Sequence, residues 1–286
     1  MDGLHHPGVG PEPWSDDDFR PVAAVLRRGS AALSPQRLSL IRSRLQIRLQ
    51  DRGMPGFTWF YEHELARSPA GAGMQMLVDL TTINHSAFFR EPVPLRALCE
   101  HLAGLLRSRP GPVRAWSAGC SAGQEPYSLA ILLGEIEPTS VPPPGRLEIW
   151  ASDVSLGMVR AGARAVYEAR ELADLGPDRL RRSFLRGRGP NDGFYRVVPE
   201  IRSLVTFQHL DLRRADWPIP GDFDAILWRN VAIYFDEGER LAMLDRMAGM
   251  LRDGGWLVVG TCEILPERPG LLRKIAPAIF RKEART

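Results

Sequence analysis

The side chains best placed to do chemistry gather around a glycine loop. Val113 to Trp116 reads as a buried strand, and Gly119 and Gly123 then form a loop whose backbone can approach a ligand closely. Pro126 sits in the first turn of the helix that follows, where proline is tolerated, and Leu129, Ile131 and Leu132 continue it as an apolar run. Three more polar positions follow strand-like runs: Asp153 after Leu147–Trp150, Asp211 after Val205–His209, and Arg229-Asn230 after Ala225–Trp228. Ligands of open α/β sheets bind at the carboxyl ends of the strands, so these four places would surround one cofactor. The spacing Gly119-x-x-x-Gly123 is not the dinucleotide pattern, and no P-loop lysine follows it. An adenosine-containing cofactor without a pyrophosphate fits better, and S-adenosylmethionine is the main one. Asp153 would accept hydrogen bonds from its ribose. The competing reading of each acid is an ordinary helix cap, strongest for Asp211 and weakest for Asp153.

The elements that must position these groups fall into two regions. From residue 15 to about 80 the pattern is helical. Ser15 followed by Asp16, Asp17 and Asp18 opens one helix, because acids favour the positive end of the helix dipole. Ser34-Pro35 opens a second, which Gly53 is placed to end. From about residue 95, strands alternate with helices, which implies a parallel sheet. The expected strands are Val113–Ser117, Leu147–Ala151, Val205–His209, Ala225–Trp228 and Gly255–Gly260. The expected helices are Val93–Arg107, Gln124–Glu135, Leu156–Ala163 and Glu237–Leu251, the last stopped by Asp253-Gly-Gly255. Residues 186 to 199 interrupt the alternation as a turn-rich β-hairpin.

Composition narrows the class. With 44% hydrophobic and 25% charged residues the chain is ordinary for a globular protein, and a net charge of +3 gives no reason to expect nucleic acid as a partner. Three separated cysteines argue against a disulfide framework or a zinc site and fit a reducing cytosol. No apolar run reaches the roughly 18 residues of a membrane span. Residues 1–14 lack a signal-peptide core and read as a disordered lead-in. His85 and His209 read as structural, since no metal-ligand spacing exists. Charge is uneven: residues 20–52 hold eight arginines and one acid, Asp51, a local charge of +7. Leu38, Ile41, Leu45 and Leu49 fall on one face of the second helix, with Arg37, Arg44, Arg48 and Arg52 on an adjoining stripe. Such a stripe is either a solvated face or a docking surface for an acidic partner.

Three longer blocks carry a resemblance. They are Leu80-Thr-Thr-Ile-Asn-His-Ser-Ala-Phe-Phe-Arg-Glu91, Trp116-Ser-Ala-Gly-Cys-Ser-Ala-Gly-Gln-Glu-Pro-Tyr-Ser128 and Phe223-Asp-Ala-Ile-Leu-Trp-Arg-Asn-Val-Ala-Ile-Tyr-Phe235. In these the chain resembles the chemotaxis receptor glutamate methyltransferases of the CheR type, from about residue 18 to 282. The resemblance implies an α/β fold. A Rossmann-like S-adenosylmethionine-dependent methyltransferase domain over 81–286 would carry a small inserted β-subdomain at about 183–203, and a helical domain over 15–80 would precede it. It implies methyl transfer to the γ-carboxylate of receptor glutamates, giving methyl esters and S-adenosylhomocysteine. Asn84, Ser86 and Arg90 would line the methionine end of the cofactor. Glu125 would meet its amino group or a nearby polar edge, Asp153 would hold the ribose, and Gly119 would allow close approach. Asp211-Leu212 and Arg229-Asn230 would border the adenine and the open side. Arg90 and Tyr234 would be the catalytic pair, Arg90 steering a carboxylate and Tyr234 facing the methyl group. Gln124 replaces the first Glu of the usual pair, Asp211 stands where Asn is common, and Thr261-Cys262-Glu263 stands where His-Ser-Glu is common.

A glutamate carboxylate is ionised at neutral pH and needs no general base, so the lack of an obvious base is expected. Cys120 reads as a small loop residue rather than a nucleophile. The arginine stripe, with Arg37, Arg44 and Arg48, would dock the glutamate-rich cytoplasmic helices of chemoreceptors. The β-subdomain would pair with a receptor C-terminal tether peptide by strand addition. The implied enzyme is a cytoplasmic monomer with no metal and no membrane insertion. The alternatives are a cofactor-binding regulator that no longer transfers methyl groups, or the same chemistry on a cytosolic signalling protein. A nucleic-acid methyltransferase finds support only in the basic helix.

Overall fold

A computed structural model describes residues 12–29, 34–68, 71–81, 86–136 and 146–284. Of the expected lead-in, residues 1–11 lie outside these. The chain divides into two compact units, Met1–Ile83 and Asn84–Thr286.

The first unit is helical: α1 (Asp16–Gly29), α2 (Pro35–Gln50), α3 (Phe57–Phe60) running into a π-helical turn (Tyr61–Leu65), and α4 (Ala72–Thr81). Ser15 caps α1, its hydroxyl accepting the Asp18 N–H at 3.0 Å. The apolar face of α2 is buried through Ile41, Leu45 and Leu49, against Phe19 and Val22 of α1 and Leu77 of α4 among others. Asp18 does more than favour the α1 dipole. Its carboxylate accepts the backbone N–H groups of Trp14 (3.0 Å), Phe57 (2.7 Å) and Thr58 (2.9 Å), and so caps α3 from another helix. Burial alone would raise its pKa. The hydrogen bonds from Thr58, Trp14 and Phe57 outweigh that and hold it below the usual aspartate range.

The second unit opens with α5 (Pro92–Ser108), β1 (Val113–Ala118), α6 (Gln124–Ile136), β2 (Leu147–Asp153) and α7 (Leu156–Arg164). It continues with β3 (Val166–Glu168), α8 (Pro177–Ser183), β4 (Phe184–Arg186), β5 (Phe194–Val197), α9 (Pro199–Arg202) and β6 (Val205–His209). It closes with β7 (Phe223–Trp228), α10 (Glu237–Met250), β8 (Leu251–Val259), β9 (Leu272–Ala276) and β10 (Ile279–Lys282). The main sheet runs β6-β2-β1-β7-β8-β10-β9. It is parallel from β6 to β8, while β10 and β9 add antiparallel strands that the alternation does not predict. Helices cover both faces. Leu98 and Leu102 of α5 and Leu129 and Leu133 of α6 fill one core, and Leu244 and Met247 of α10 pack near Trp116 and Trp228 in the other. Strand β7 is buried at every position, and apart from Asp224, which pairs with Arg109 at 2.7 Å, it reads as an apolar run.

Two expectations need correction. Asp253-Gly254-Gly255 does not end α10. The helix stops at Met250 and β8 begins at Leu251, so the three residues form a bulge within the strand. Register there passes from Phe223↔Leu251 to Ala225↔Trp256, and Gly254 takes φ +80°. The expected hairpin is a three-stranded antiparallel sheet, β3-β5-β4, whose third strand comes from upstream of residues 183–203. Three residues are too few for periodicity to reveal.

Candidate functional site

The chain leaves β1 for β2 and β6 on one side, then returns to β7 on the other, so the order reverses between β1 and β7. The loops after these strands therefore open a crevice where α/β proteins bind ligands. Gly119 and Gly123 both take φ +92°. A Cβ on Gly119 would lie 2.4 Å from Cγ2 of Val231, so glycine is required there for space as well as conformation. The carbonyl of Ser152 accepts the N–H groups of Gly119 (2.8 Å) and Cys120 (2.9 Å). The Asp153 carboxylate accepts those of Ser121 and Ser155, each at 2.9 Å. Asp153 is not a helix cap, since Ser155 caps α7 by accepting the Met158 N–H at 3.2 Å. The loop is Ser-Ala-Gly-Cys-Ser-Ala-Gly, without a cation. An acid at the end of β2 beside a glycine loop suits a nucleoside, from whose ribose hydroxyls it can accept hydrogen bonds.

Across the crevice, Arg229 ends β7 with its side chain 2% exposed. Its guanidinium donates to Glu125 at 3.0 Å, to Glu91 at 3.3 Å and to the carbonyl of Arg90. Glu125 also accepts the Ser117 hydroxyl at 2.7 Å. The Arg229 side chain therefore turns inward and holds other residues. Asn230, at φ +59°, donates its side-chain amide to Glu91 at 3.2 Å. Glu91 further accepts the Thr261 N–H at 3.0 Å. Burial alone would raise the Glu91 pKa. The bonds from Thr261, Asn230 and Arg229, together with the Arg229 charge, outweigh that and hold it below the usual glutamate range. Glu263 accepts three backbone N–H groups, from Asn230 (2.8 Å), Ala232 (2.9 Å) and Gly260 (2.7 Å). One continuous polar network thus ties the ends of β1, β7 and β8 to the starts of α5 and α6.

The remaining expected residues fall around this network or away from it. Arg90 stands beside it with its side chain 43% exposed, and its Nε lies 3.9 Å from Glu91, too long for a hydrogen bond. Ser86 is half-buried in the segment before Phe88, and Asn84 and His85 lie outside the described residues. Tyr234 is half-buried in a 3-10 turn (Ala232–Tyr234), its carbonyl accepting from Arg213 at 3.1 Å. Asp211 caps no helix. Its carboxylate accepts the Arg213 N–H at 2.9 Å in a tight turn, next to buried Leu212. His209 faces the carbonyl of Val154 at 2.9 Å. Burial pushes the Cys120 thiol well above its usual pKa, which removes it as a nucleophile. Arg44 and Arg48 are exposed on α2, in the other unit, on the helix that also bears Arg37. Sequence reasoning assigns no role to Glu263 or to Glu91. The one signal is their place, directly after a strand and at the end of a motif block.

Comparisons with known proteins bear on this site. The family model described as CheR methyltransferase, SAM binding domain, matches residues 84–279. The chain is 37% identical over 252 residues to a chemotaxis protein methyltransferase of Klebsiella aerogenes, covering 88% of this chain and 84% of that one. It is 37% identical over 268 residues to chemotaxis protein methyltransferase 2 of Pseudomonas aeruginosa, covering 93% of each. It is 34% identical over 250 residues to a chemotaxis protein methyltransferase of Escherichia coli K12, covering 87% of this chain and 85% of that one. Among the described residues no helix is long and apolar enough to cross a membrane.

Proposed function

This chain belongs to the CheR methyltransferase family, and from that membership we propose that it methylates the γ-carboxylate of chemoreceptor glutamates with S-adenosylmethionine, releasing S-adenosylhomocysteine. The observation that carries the reading is how the acids of the crevice are employed. Asp153, Glu125, Glu91 and Glu263 each accept at least two hydrogen bonds from backbone or side-chain groups of the chain itself. The oxygens of these carboxylates are thereby committed to holding the site together. An amine or hydroxyl substrate would need a base, whereas an ionised glutamate needs only alignment and exclusion of water. When bound, S-adenosylmethionine supplies an electrophilic methyl group on a sulfonium.

The chain's own residues divide that work. Asp153 receives the ribose, and Asp211-Leu212 with the Asn230 side flank the adenine. Asn84, Ser86 and Glu125 hold the methionine end, with Gly119 allowing the backbone to approach. Arg229 acts through Glu125 and through the Arg90 backbone. Arg90 steers the incoming carboxylate, and Tyr234 faces the methyl group. Methyl transfer from labelled cofactor to soluble receptor fragments tests this. Alkali-labile label that is lost in Arg90→Ala is the expected outcome, and label that resists alkali refutes carboxyl methylation.

Arg37, Arg44 and Arg48 dock the receptor helix on this reading, and the enzyme works as a cytoplasmic monomer. Reversing Arg44 and Arg48 to Glu should raise the KM for receptor roughly fivefold at low salt and leave S-adenosylhomocysteine affinity unchanged. Equal kinetics would make the stripe a solvated face. A receptor tether peptide adds to an edge of the β3-β5-β4 sheet, whose Val166, Leu185 and Phe194 are exposed. Equal methylation after removal of the receptor tail would exclude that contact.

A further inference from the structure

The Ser117–Gly123 loop is also held from a direction that the main sheet does not supply. Tyr167, the middle residue of β3, donates its hydroxyl to the carbonyl of Ala122 at 2.7 Å. A Cβ on Gly123 would lie 3.1 Å from that hydroxyl, so the contact leaves no slack. The Tyr167 ring is 2% exposed and packs edge-on against Phe88, with ring centroids 4.9 Å apart. Four residues on, Glu171 accepts the Gln124 side-chain amide at 3.3 Å, while its other oxygen accepts the Glu168 N–H at 2.9 Å. The small antiparallel sheet and its following turn thus grip the loop at Ala122 and α6 at its first residue. From the opposite side, β2 holds Gly119, Cys120 and Ser121. Between the two grips Ser121 takes φ +51°, a left-handed backbone without a glycine, which persists only where the surroundings enforce it.

We propose that Tyr167, with Glu171, is a positioning residue for the cofactor loop, which makes the small β3-β5-β4 sheet a working part of the cofactor site. The proposal rests on the reading of that loop as the S-adenosylmethionine site. Burial raises the Tyr167 hydroxyl well above its usual pKa, so it stays a donor through the working pH range. Removing the hydroxyl frees Ala122 and lets the loop populate arrangements that do not accept cofactor. Apparent affinity then falls by the competent fraction, while the saturated enzyme turns over as before.

Calorimetric titration of S-adenosylhomocysteine into wild type and Tyr167→Phe tests this, alongside steady-state kinetics on receptor fragments. The expected result is a Kd raised about tenfold and a KM for S-adenosylmethionine raised in parallel. The kcat and the receptor KM stay close to wild type, and the unfolding midpoint falls by only a few degrees. An unchanged Kd overturns the proposal, and so does a fall in kcat at unchanged Kd. Wild type that fails to bind S-adenosylhomocysteine would instead refute the loop assignment itself. Should Tyr167→Phe not fold, Gln124→Glu sets a carboxylate against Glu171 and should weaken binding, and adding Glu171→Gln should restore it. Failure of that rescue overturns the proposal equally.

Discussion

Replacing Glu263 with glutamine tests how the crevice is held together. One carboxylate oxygen accepts the N–H groups of Asn230 and Gly260, at 2.8 and 2.7 Å, and the other accepts that of Ala232 at 2.9 Å. Glutamine keeps the shape but offers one acceptor oxygen. In its better orientation it still serves Asn230 and Gly260, now without charge, and turns an NH2 group toward the Ala232 N–H. One bond is lost to a donor facing a donor, and two are weakened. Hydrogen bonds to charged groups contribute about 1.5–3 kcal/mol and neutral ones about 0.5–1.5 kcal/mol. The change then costs about 4–5 kcal/mol at full burial, and about 2–3 kcal/mol for this half-buried carboxylate.

Thermal unfolding should register that as a midpoint lowered by roughly 5–10 °C for a unit of this size. Binding should register it as well. Asn230 holds φ +59° beside the cofactor crevice, and with its N–H released it relaxes toward commoner conformations. S-adenosylhomocysteine should then bind about tenfold more weakly. A variant with unchanged midpoint and unchanged affinity would refute the argument that Glu263 ties β7 to β8. A lowered midpoint with unchanged affinity would confine its role to the fold.

Glu91 should make the enzyme acid-sensitive. Its carboxyl is held below its ordinary value of 4.5, so its stabilisation is present above that pH and is lost as pH falls through the lower, folded-state pKa. Glu91→Gln should therefore melt earlier than wild type at neutral pH, with the gap between their midpoints closing as the medium is acidified through that lower pKa; a gap independent of pH would contradict the assignment. Asp18→Asn can satisfy two but not all three of the N–H groups now bound by Asp18, and should destabilise the helical unit by about 2–4 kcal/mol. Hydrogen exchange at the Phe57 and Thr58 amides should accelerate accordingly, and unchanged protection there would show that Asp18 does not cap α3.

What is legible in the sequence and what is hidden divide along physical lines. Buried parallel strands announce themselves as largely apolar runs, so β1, β2 and β7 lie within two residues of their expected bounds, and the edge strand β6, though half-exposed, matches its expected bounds. Gly119 and Gly123 are legible because a left-handed backbone and a close approach leave glycine little competition. The three-residue β3 and the bulge in β8 are not legible, one being too short for a period and the other imitating a helix stop. The polar ties are hidden for a different reason. Arg229 meets Glu125 across 104 residues, and Thr261 meets Glu91 across 170. No local pattern can report pairings that only the returning chain creates. Gln124 illustrates the limit, because it reads as a lost charge in the loop until Glu171 is found opposite it.

These hidden ties show how Asp153, Glu125, Glu91 and Glu263 are employed. Each acid uses its oxygens to hold something else, and three of those ties run through or beside Arg229. That guanidinium is buried, and it fixes the backbone of Arg90 through the Arg90 carbonyl. The side chain of Arg90 itself stands 43% exposed at the mouth of the network. A rigid backbone with an accessible cation is the arrangement a carboxylate nucleophile needs, since the substrate arrives already charged and must only be aimed. Arg229 and Arg90 therefore act in complementary ways. The buried guanidinium commits its charge to geometry, and under the proposed function the exposed one is the cation that aims the substrate carboxylate. Lysine at position 229 would keep the charge but lose the fork that reaches Glu125, Glu91 and the Arg90 carbonyl together. On this account the damage would appear as a misdirected Arg90 rather than as a missing cation.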